Sequence, residues 1–410
     1  MDGAAVQGQA ARPGPPESEF PCPSPLPRRR VQVMGRVFFD LVYSGLTEEP
    51  QPGTEVQAAH LGIAPGGVAN IAVALARLGL DVGLSALFAE DAFGDYLWSL
   101  LDYEGIDLSF SARVPDWTTP VTTSVAYGPE RTMVTYEHPA PFDVATLLPP
   151  RYRADAFVLS LADVEAGWLA ALHTAGPMVF ADVGWDLEQL GSHDLVQKLA
   201  HVDVFMPNSA EARQWTGQAD VDGAARALAG GQRLVVIKDS GSGSVALGPA
   251  MPAPLRVPGL RVPVRDTTGA GDVFDAGFIY GTLAGWPLAQ RLRFANLCGA
   301  ESVKLEGGSL AAPCWRDLKA FWDALEDERL REDYRFLPHL FDSQSSRHPC
   351  TRACPTLSAL PAAGTGPWPA VAGSDGVAAA DLPSGPADQG AQHGAAASAR
   401  VSSARRSTLS

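Results

Sequence analysis

From Val31 to Leu340, short apolar runs alternate with segments of helical period, and this alternation limits the fold more than any other feature of the chain. "VQVMGRVFF", "DVGLSALF", "AFVLSLAD", "MVFADVG", "DVFMPN" and "RLVVIK" are too short for helices and are rich in β-branched and aromatic residues, so they read as strands. Between them, "VANIAVALARLG" sets Ile71, Leu75 and Leu78 at i, i+4 and i+7, with Gly79 placed to end a helix. "DAFGDYLWSLLDYEG" is a second helix, with Phe93, Leu97, Leu100 and Leu101 inward and a stop near Gly105. "VEAGWLAALHTAG", "LVQKLAHV" and "DGAARALAGG" continue the pattern. Apolar strands each followed by a helix imply a mostly parallel sheet covered on both faces. Two segments break the rhythm: residues 41–60, and "TTSVAYGPERTMVTYE", which reads as a hairpin around Gly128, Pro129, Glu130 and Arg131. A small β lid made from about 41–60 and 110–138 accounts for both.

A chain of 410 residues that is 46% hydrophobic and 19% charged can bury one large core. Residues 1–30 and 341–410, rich in Pro, Gly, Ala and Ser, are expected to be disordered, because they lack the apolar surface to offset chain entropy. This leaves 31–340 as the folded domain. Translation is expected to start at Met34, inside the first apolar run, with the upstream residues an extension. The net charge of −15 falls on the middle of the chain, since both ends are near neutral, so nucleic acid and anionic membranes are not expected partners. Five cysteines (Cys22, Cys298, Cys314, Cys350, Cys354) have no metal-type spacing and read as incidental thiols in a reducing cytoplasm. No apolar run is long enough to span a bilayer.

Two glycine-rich motifs compete for attention. "GSGSVA" at 241–246 follows a strand but leads into the strand-like, Pro-broken "SVALGPAMPAP", so no helix N-terminus stands ready for a pyrophosphate and a hairpin turn is the better reading. A Walker loop is absent from the sequence. "DTTGAGDVFDAGFIYG" differs: Gly269 and Gly271 let consecutive amides face one point, and Val273, Ala276, Gly277 and Tyr280 follow at helical spacing. An anion is favoured at such a helix start by free N–H groups and the dipole. Asp272 at the same place reads as an N-cap or as a base; a cap alone does not need two glycines and two threonines before it. Phosphoryl transfer needs backbone donors for the phosphate oxygens and a carboxylate within reach of the attacking hydroxyl.

"DTTGAGD" resembles the C-terminal signature of the ribokinase-like (PfkB) carbohydrate kinases, and further motifs follow in that family's order. The resemblance implies a three-layer α/β fold with a small β lid, ATP and Mg²⁺ as co-substrate and cofactor, a sugar as acceptor, and a homodimer formed through the lid. It assigns Asp272 as catalytic base and the amides of Gly269, Ala270 and Gly271 as the anion hole. "GRVFFDLV" and "PGGVANIAVAL" are similar to the substrate-side elements, implying that Asp40 at the end of the first strand, Gly66, Gly67 and Asn70 bind the acceptor. "MPNSAEARQWTG" resembles the N-x-x-E element, so Asn208 and Glu211 would hold Mg²⁺ through water; read alone, they are a helix cap. "VVIKDSGSGSVALG" and "RLRFANLCGAESVKLEGGSL" resemble the nucleotide-side elements, giving Lys238, Gly243, Thr268 and Asn296 to ATP. Asp266 matches a residue that helps hold K⁺ in some members. Asp275, one turn past Asp272, points away from the cradle in this reading. Three departures stand out: G-G-x-x-N in place of G-G-x-x-x-N, Ala89 where Gly is usual, and Ser240 where Gly is usual. Arg131 is the one basic residue near the lid, which disfavours a sugar phosphate. A nucleoside stacked on Tyr127 or Tyr136 is the second acceptor class, and a binding module that has lost catalysis is the alternative to an enzyme.

Overall fold

The computed structural model describes residues 29–127, 130–149, 152–183, 192–230 and 233–344. The expectations for residues 1–28 and 345–410, and the tip of the hairpin at Gly128 and Pro129, lie outside the described residues. Fourteen strands are described: β1 (Arg30–Met34), β2 (Val37–Leu46), β3 (Ala58–Gly67), β4 (Asp81–Ser85), β5 (Leu87–Ala89), β6 (Ala112–Val114) and β7 (Val121–Tyr127), followed by β8 (Glu130–Tyr136), β9 (Ala156–Ser160), β10 (Met178–Asp182), β11 (Val204–Phe205), β12 (Leu234–Lys238), β13 (Ser244–Leu247) and β14 (Leu255–Val257). The central sheet has the order β14-β13-β12-β11-β10-β9-β1-β4. It is parallel from β4 through β12, and β13 and β14 close one edge antiparallel. Strands buried on both faces explain the unbroken apolar runs. Along β9, Ala156 and Val158 enter one core while Phe157 and Leu159 enter the other. The first core is covered by helices Val68–Arg77, Ala92–Tyr103, Ala270–Leu283 and Leu288–Ser302, the second by Ala166–Thr174, His193–Leu199, Ser209–Thr216 and Val221–Leu228.

The lid is a separate sheet, β3-β2-β7-β8, in which β2 and β7 run parallel and the other pairs antiparallel. Its strands differ from the expected bounds. "VQVMGRVFF" is not one strand: it breaks at Gly35, where the chain leaves the central sheet for the lid. Gly35 has φ 146°, and a Cβ there would stand 2.7 Å from Val68 Cγ1 and 2.8 Å from Asp163 Oδ2. Asp40 therefore lies in the middle of a lid strand, opposite Ala64 and Thr122, and not at the end of the first strand. The lid takes in 37–46 and 58–67, while Ala112–Val114 pairs with β5 outside it. An apolar run carries no mark of which sheet it joins, and that is why the bounds slipped. "DVGLSALF" likewise divides into β4 and β5.

Helix Val68–Arg77 ends as expected, with Gly79 at φ 87°. In the next helix Leu97, Leu100 and Leu101 are fully buried, but Phe93 is 42% exposed, its ring 4.5 Å from that of Phe39 in the lid. Arg77, fully buried, donates to both Glu104 oxygens at 2.9 and 2.7 Å and to the carbonyls of Leu310 and Ala312 at 2.7 and 3.0 Å. That knot joins two helices to the segment after the Gly307–Gly308 turn. Of the cysteines, Cys298 is a buried thiol, whereas Cys314, read above as an incidental thiol, is disulfide-bonded.

Candidate active site

Parallel strands leave a crevice beyond their carboxyl ends, where ligands of open α/β sheets bind. Asp182 closes β10, Asn208 follows β11, and Lys238 closes β12. The helix Ala270–Leu283 starts at the same end, with Gly271 against Lys238.

Gly269 caps that helix in the left-handed region, φ 69°, a conformation open to glycine at little steric cost. The Val273 amide donates to Gly269 O at 2.9 Å, and the Ala270 amide leans on Thr267 O at 3.3 Å. Among the described residues the Gly269 and Gly271 amides have no hydrogen-bond partner, so two of the three expected cradle donors stand ready for an anion. Asp272 is half-buried in the first turn. Asp266 braces the loop: Oδ1 accepts from the Thr268 amide at 2.8 Å, and Oδ2 from Gly307 and Gly308 at 3.1 and 3.3 Å.

The acceptor-side residues reach this loop from the lid. A Cβ on Gly66 would run into the Asp40 carboxylate, so only glycine lets that strand lie against it. Gly67 starts helix Val68–Arg77 at φ 61°, where a Cβ would strike the Arg36 carbonyl. The Asn70 side chain is buried, its Oδ1 has no hydrogen-bond partner among the described residues, and it would lie 3.3 Å from a Cβ placed on Gly269. Asn70 thus lies against the signature loop.

On the other side, Lys238 Nζ lies 2.8 Å from Asp182 Oδ2 and 2.7 Å from Asp275 Oδ2. Burial pulls the Lys238 ammonium pKa down, but Asp182, Asp275 and Glu211 outweigh it and raise it above the ordinary lysine value. Asp275 is fully buried as a partner of Lys238. Asp182 was not singled out from the sequence. Its signal was there: an acid on the last residue of an apolar parallel strand, facing the crevice.

Asn208 and Glu211 form a reciprocal helix cap. Asn208 Oδ1 accepts from the Ala210 and Glu211 amides at 2.9 Å each, and Glu211 Oε2 accepts from the Asn208 amide at 2.8 Å. Only Oε1 of Glu211 is left for other work. Burial first, then the charge of Asp182, pushes the Glu211 pKa from 4.5 up to about 8. The native state therefore keeps a proton that the unfolded chain loses near pH 4.5, and this group's contribution to stability declines as pH rises from about 4.5 to about 8. Without divalent cations, the melting temperature should fall across that window, and Glu211→Gln should flatten the fall. Parallel curves for the two proteins would overturn the elevated Glu211 pKa.

The nucleotide-side residues carry structural duties too. Ser240, where glycine is usual in the resemblance, adopts φ 48°, which explains the usual glycine. Gly243 has φ 100°, and a Cβ on it would strike Val257 O. Asn296 Nδ2 donates to Val257 O at 3.3 Å and Pro258 O at 3.2 Å. Gly243 thus lets the 239–243 turn lie against the 257–259 segment, which Asn296 ties to its own helix. The 239–243 turn joins antiparallel strands, so the hairpin reading of "GSGSVA" is correct. Thr268 packs its methyl group against the Gly308 backbone, a Cβ there standing 3.5 Å from Cγ2.

The sequence profile of the pfkB family carbohydrate kinases matches residues 29–314, which spans both the lid and the crevice just described. The chain belongs to the pfkB family of carbohydrate kinases. Among its relatives, it is 27% identical over 319 residues to the aminoimidazole riboside kinase of Salmonella typhimurium, covering 71% of this chain and 94% of the relative. It is 30% identical over 285 residues to a fructokinase of Klebsiella pneumoniae, covering 62% of this chain and 91% of the relative. The fold is similar to that of Arabidopsis thaliana ribokinase complexed with ribose and ATP, with a TM-score of 0.59 and 21% identity over 72% of this chain and 98% of the other. This pfkB chain is a kinase of the ribokinase fold, and among its described residues no helix is long and apolar enough to cross a membrane.

Proposed function

We propose that the protein transfers the γ-phosphoryl group of ATP to a hydroxyl of a small neutral sugar, with Asp272 as general base. One observation carries this reading: Asp272 shares the first turn of a helix with two unpartnered glycine amides, and the Lys238 ammonium lies beside Gly271. In the proposed reaction the sugar oxygen bonds to phosphorus, its proton passes to an Asp272 oxygen, and ADP leaves. The Gly269 and Gly271 amides, with Ala270 once released from Thr267, take up the charge that grows on the phosphate oxygens. Asp40 and Asn70 orient the acceptor from the lid side, beside Gly66 and Gly67. Lys238 and Thr268 face the phosphates, and the loops braced by Gly243 and Asn296 bound the nucleotide. Lid closure excludes water, the competing acceptor.

The donor set fits Mg²⁺ held through water. Asp182, Glu211 and Asp272 bring carboxylates close enough to couple: after burial, the charges of Asp182 and Asp272 push the Glu211 pKa up while Lys238 pulls it down. No group of three or more acidic, His or Cys side chains is arranged to bind a metal directly among the described residues. Asn208 and Glu211 would hold the ion's waters, and the ion would neutralise phosphate charge. ATP as donor makes the cytoplasm the proposed compartment.

A sugar is the first acceptor class and a nucleoside the second. Tyr127 pairs with Glu130 at one end of the hairpin and Tyr136 with Val121 at the other, so a base would stack on one of them alone. The Tyr136 hydroxyl is also bonded to His138 Nε2 at 2.8 Å. Arg36, a cation at the base of the lid, is engaged by Asp163 and Glu137, which leaves a sugar phosphate without an obvious second site; the Arg131 side chain lies outside the described ones. ADP release measured over a panel of neutral sugars, sugar phosphates and nucleosides should be highest with a neutral sugar. Turnover confined to nucleosides would replace the acceptor, and no turnover with any acceptor would favour a binding module.

A further inference from the structure

Lys238 is held by more than the strand that carries it. Two carboxylates from different elements grip its ammonium: Asp182 at the end of β10 and Asp275 in the second turn of the signature helix. Asp275 is 0% exposed and the Lys238 side chain 11%, while Asp275 Oδ1 has no hydrogen-bond partner among the described residues. An ammonium has three N–H donors, of which this pair uses two. A Cβ on Gly271 would stand 3.7 Å from Cδ, Cε and Nζ of Lys238 alike, so the end of the side chain runs along the underside of the cradle. Burying such an ion triad is a weak route to stability, since desolvation opposes pairing and apolar packing often does as well. Its geometric effect is definite: three elements fix one nitrogen in place.

We propose that Asp275 is a positioning residue for phosphoryl transfer, holding the Lys238 ammonium with Asp182 at the floor of the Gly269–Gly271 cradle so that its third N–H meets a phosphate oxygen as charge builds there. This rests on the kinase reading above. Asp275 acts only through Lys238, and a double-mutant cycle in the full chain tests that, using the best acceptor from the panel with kcat and both KM values measured. Lys238→Met should lower kcat by about 10²- to 10³-fold, the usual loss for one preorganised donor. Asp275→Asn should lower kcat by up to about 10²-fold by displacing the ammonium, with the acceptor KM unchanged. The double variant should match Lys238→Met alone. Asp275→Asn at parental kcat, or losses that multiply in the double variant, would overturn the proposal, and the second result is what a purely structural Asp275 produces. Should Asp275→Asn not fold, Asp182→Asn at the more exposed end of the same grip enters the cycle with the same expected and overturning results. Multiplying losses while Asp272→Asn stays inactive defeat the positioning role alone; an active Asp272→Asn removes Asp272 as the base in the reading beneath it.

Discussion

Asp272→Asn is expected to fold and to bind ATP like the parent while losing about 10²- to 10⁴-fold in kcat. Asparagine matches the carboxylate in shape, but it cannot accept the hydroxyl proton. The residue is half-buried in the first turn, so loss of its charge from the helix start should lower stability by only about 0.3–1 kcal/mol. The substitution should also ease Glu211, whose pKa is raised in part by the Asp272 charge after burial and Asp182. Initial-rate kinetics with a binding isotherm for ATP separates the effects: kcat falls, nucleotide affinity holds, and the limb of the pH–rate profile set by the base disappears. A kcat within a few-fold of the parent would remove Asp272 from the role.

Arg77→Met should destabilise the fold by about 3–5 kcal/mol, the range for removing one partner of a buried ion pair. Glu104 is almost fully buried and accepts both of its Arg77 hydrogen bonds in a bidentate grip. Without Arg77 a buried carboxylate loses its bidentate cation, and the Leu310 and Ala312 carbonyls lose those donors. Arg77→Met with Glu104→Leu should recover part of the loss, because both charges go; the carbonyls still cost about 1–3 kcal/mol each. Denaturant midpoints with constant slopes would report these differences. A loss below 1 kcal/mol for Arg77→Met would mean that solvent reaches the pair. The region matters for function because Leu310 lies two residues past the Gly307–Gly308 turn, which Asp266 ties to the signature loop.

How far the chain could be read before its structure varies with the kind of information each residue carries. Strand and helix type, the parallel sheet, the hairpin at 121–136 and the helix that starts at the glycine pair are set by local periodicity and glycine placement, whereas the cap proves to be Gly269 and not Asp272. Gly79, Gly269 and Gly243 take the positive φ that their turns need, so their place in the sequence already implied the backbone. The partition of "VQVMGRVFF" between two sheets was not legible, because the same apolar pattern suits the central sheet and the lid. Phe93 shows the same limit: its helical position is inward, but the surface it meets is a lid strand that leaves it 42% exposed.

By itself, then, the sequence determined the layered α/β architecture and the place of the glycine amides and the carboxylate proposed as an anion site, since helix-start amides and a first-turn carboxylate are local matters. Only the tertiary structure decided that Asp182 and Asp275 converge on Lys238, that burial and Asp182 together raise the Glu211 pKa, and that Asn70 lies against Gly269. Each depends on groups separated by many residues, and both electrostatic coupling and packing fall off with distance in space, a quantity that separation along the chain does not contain.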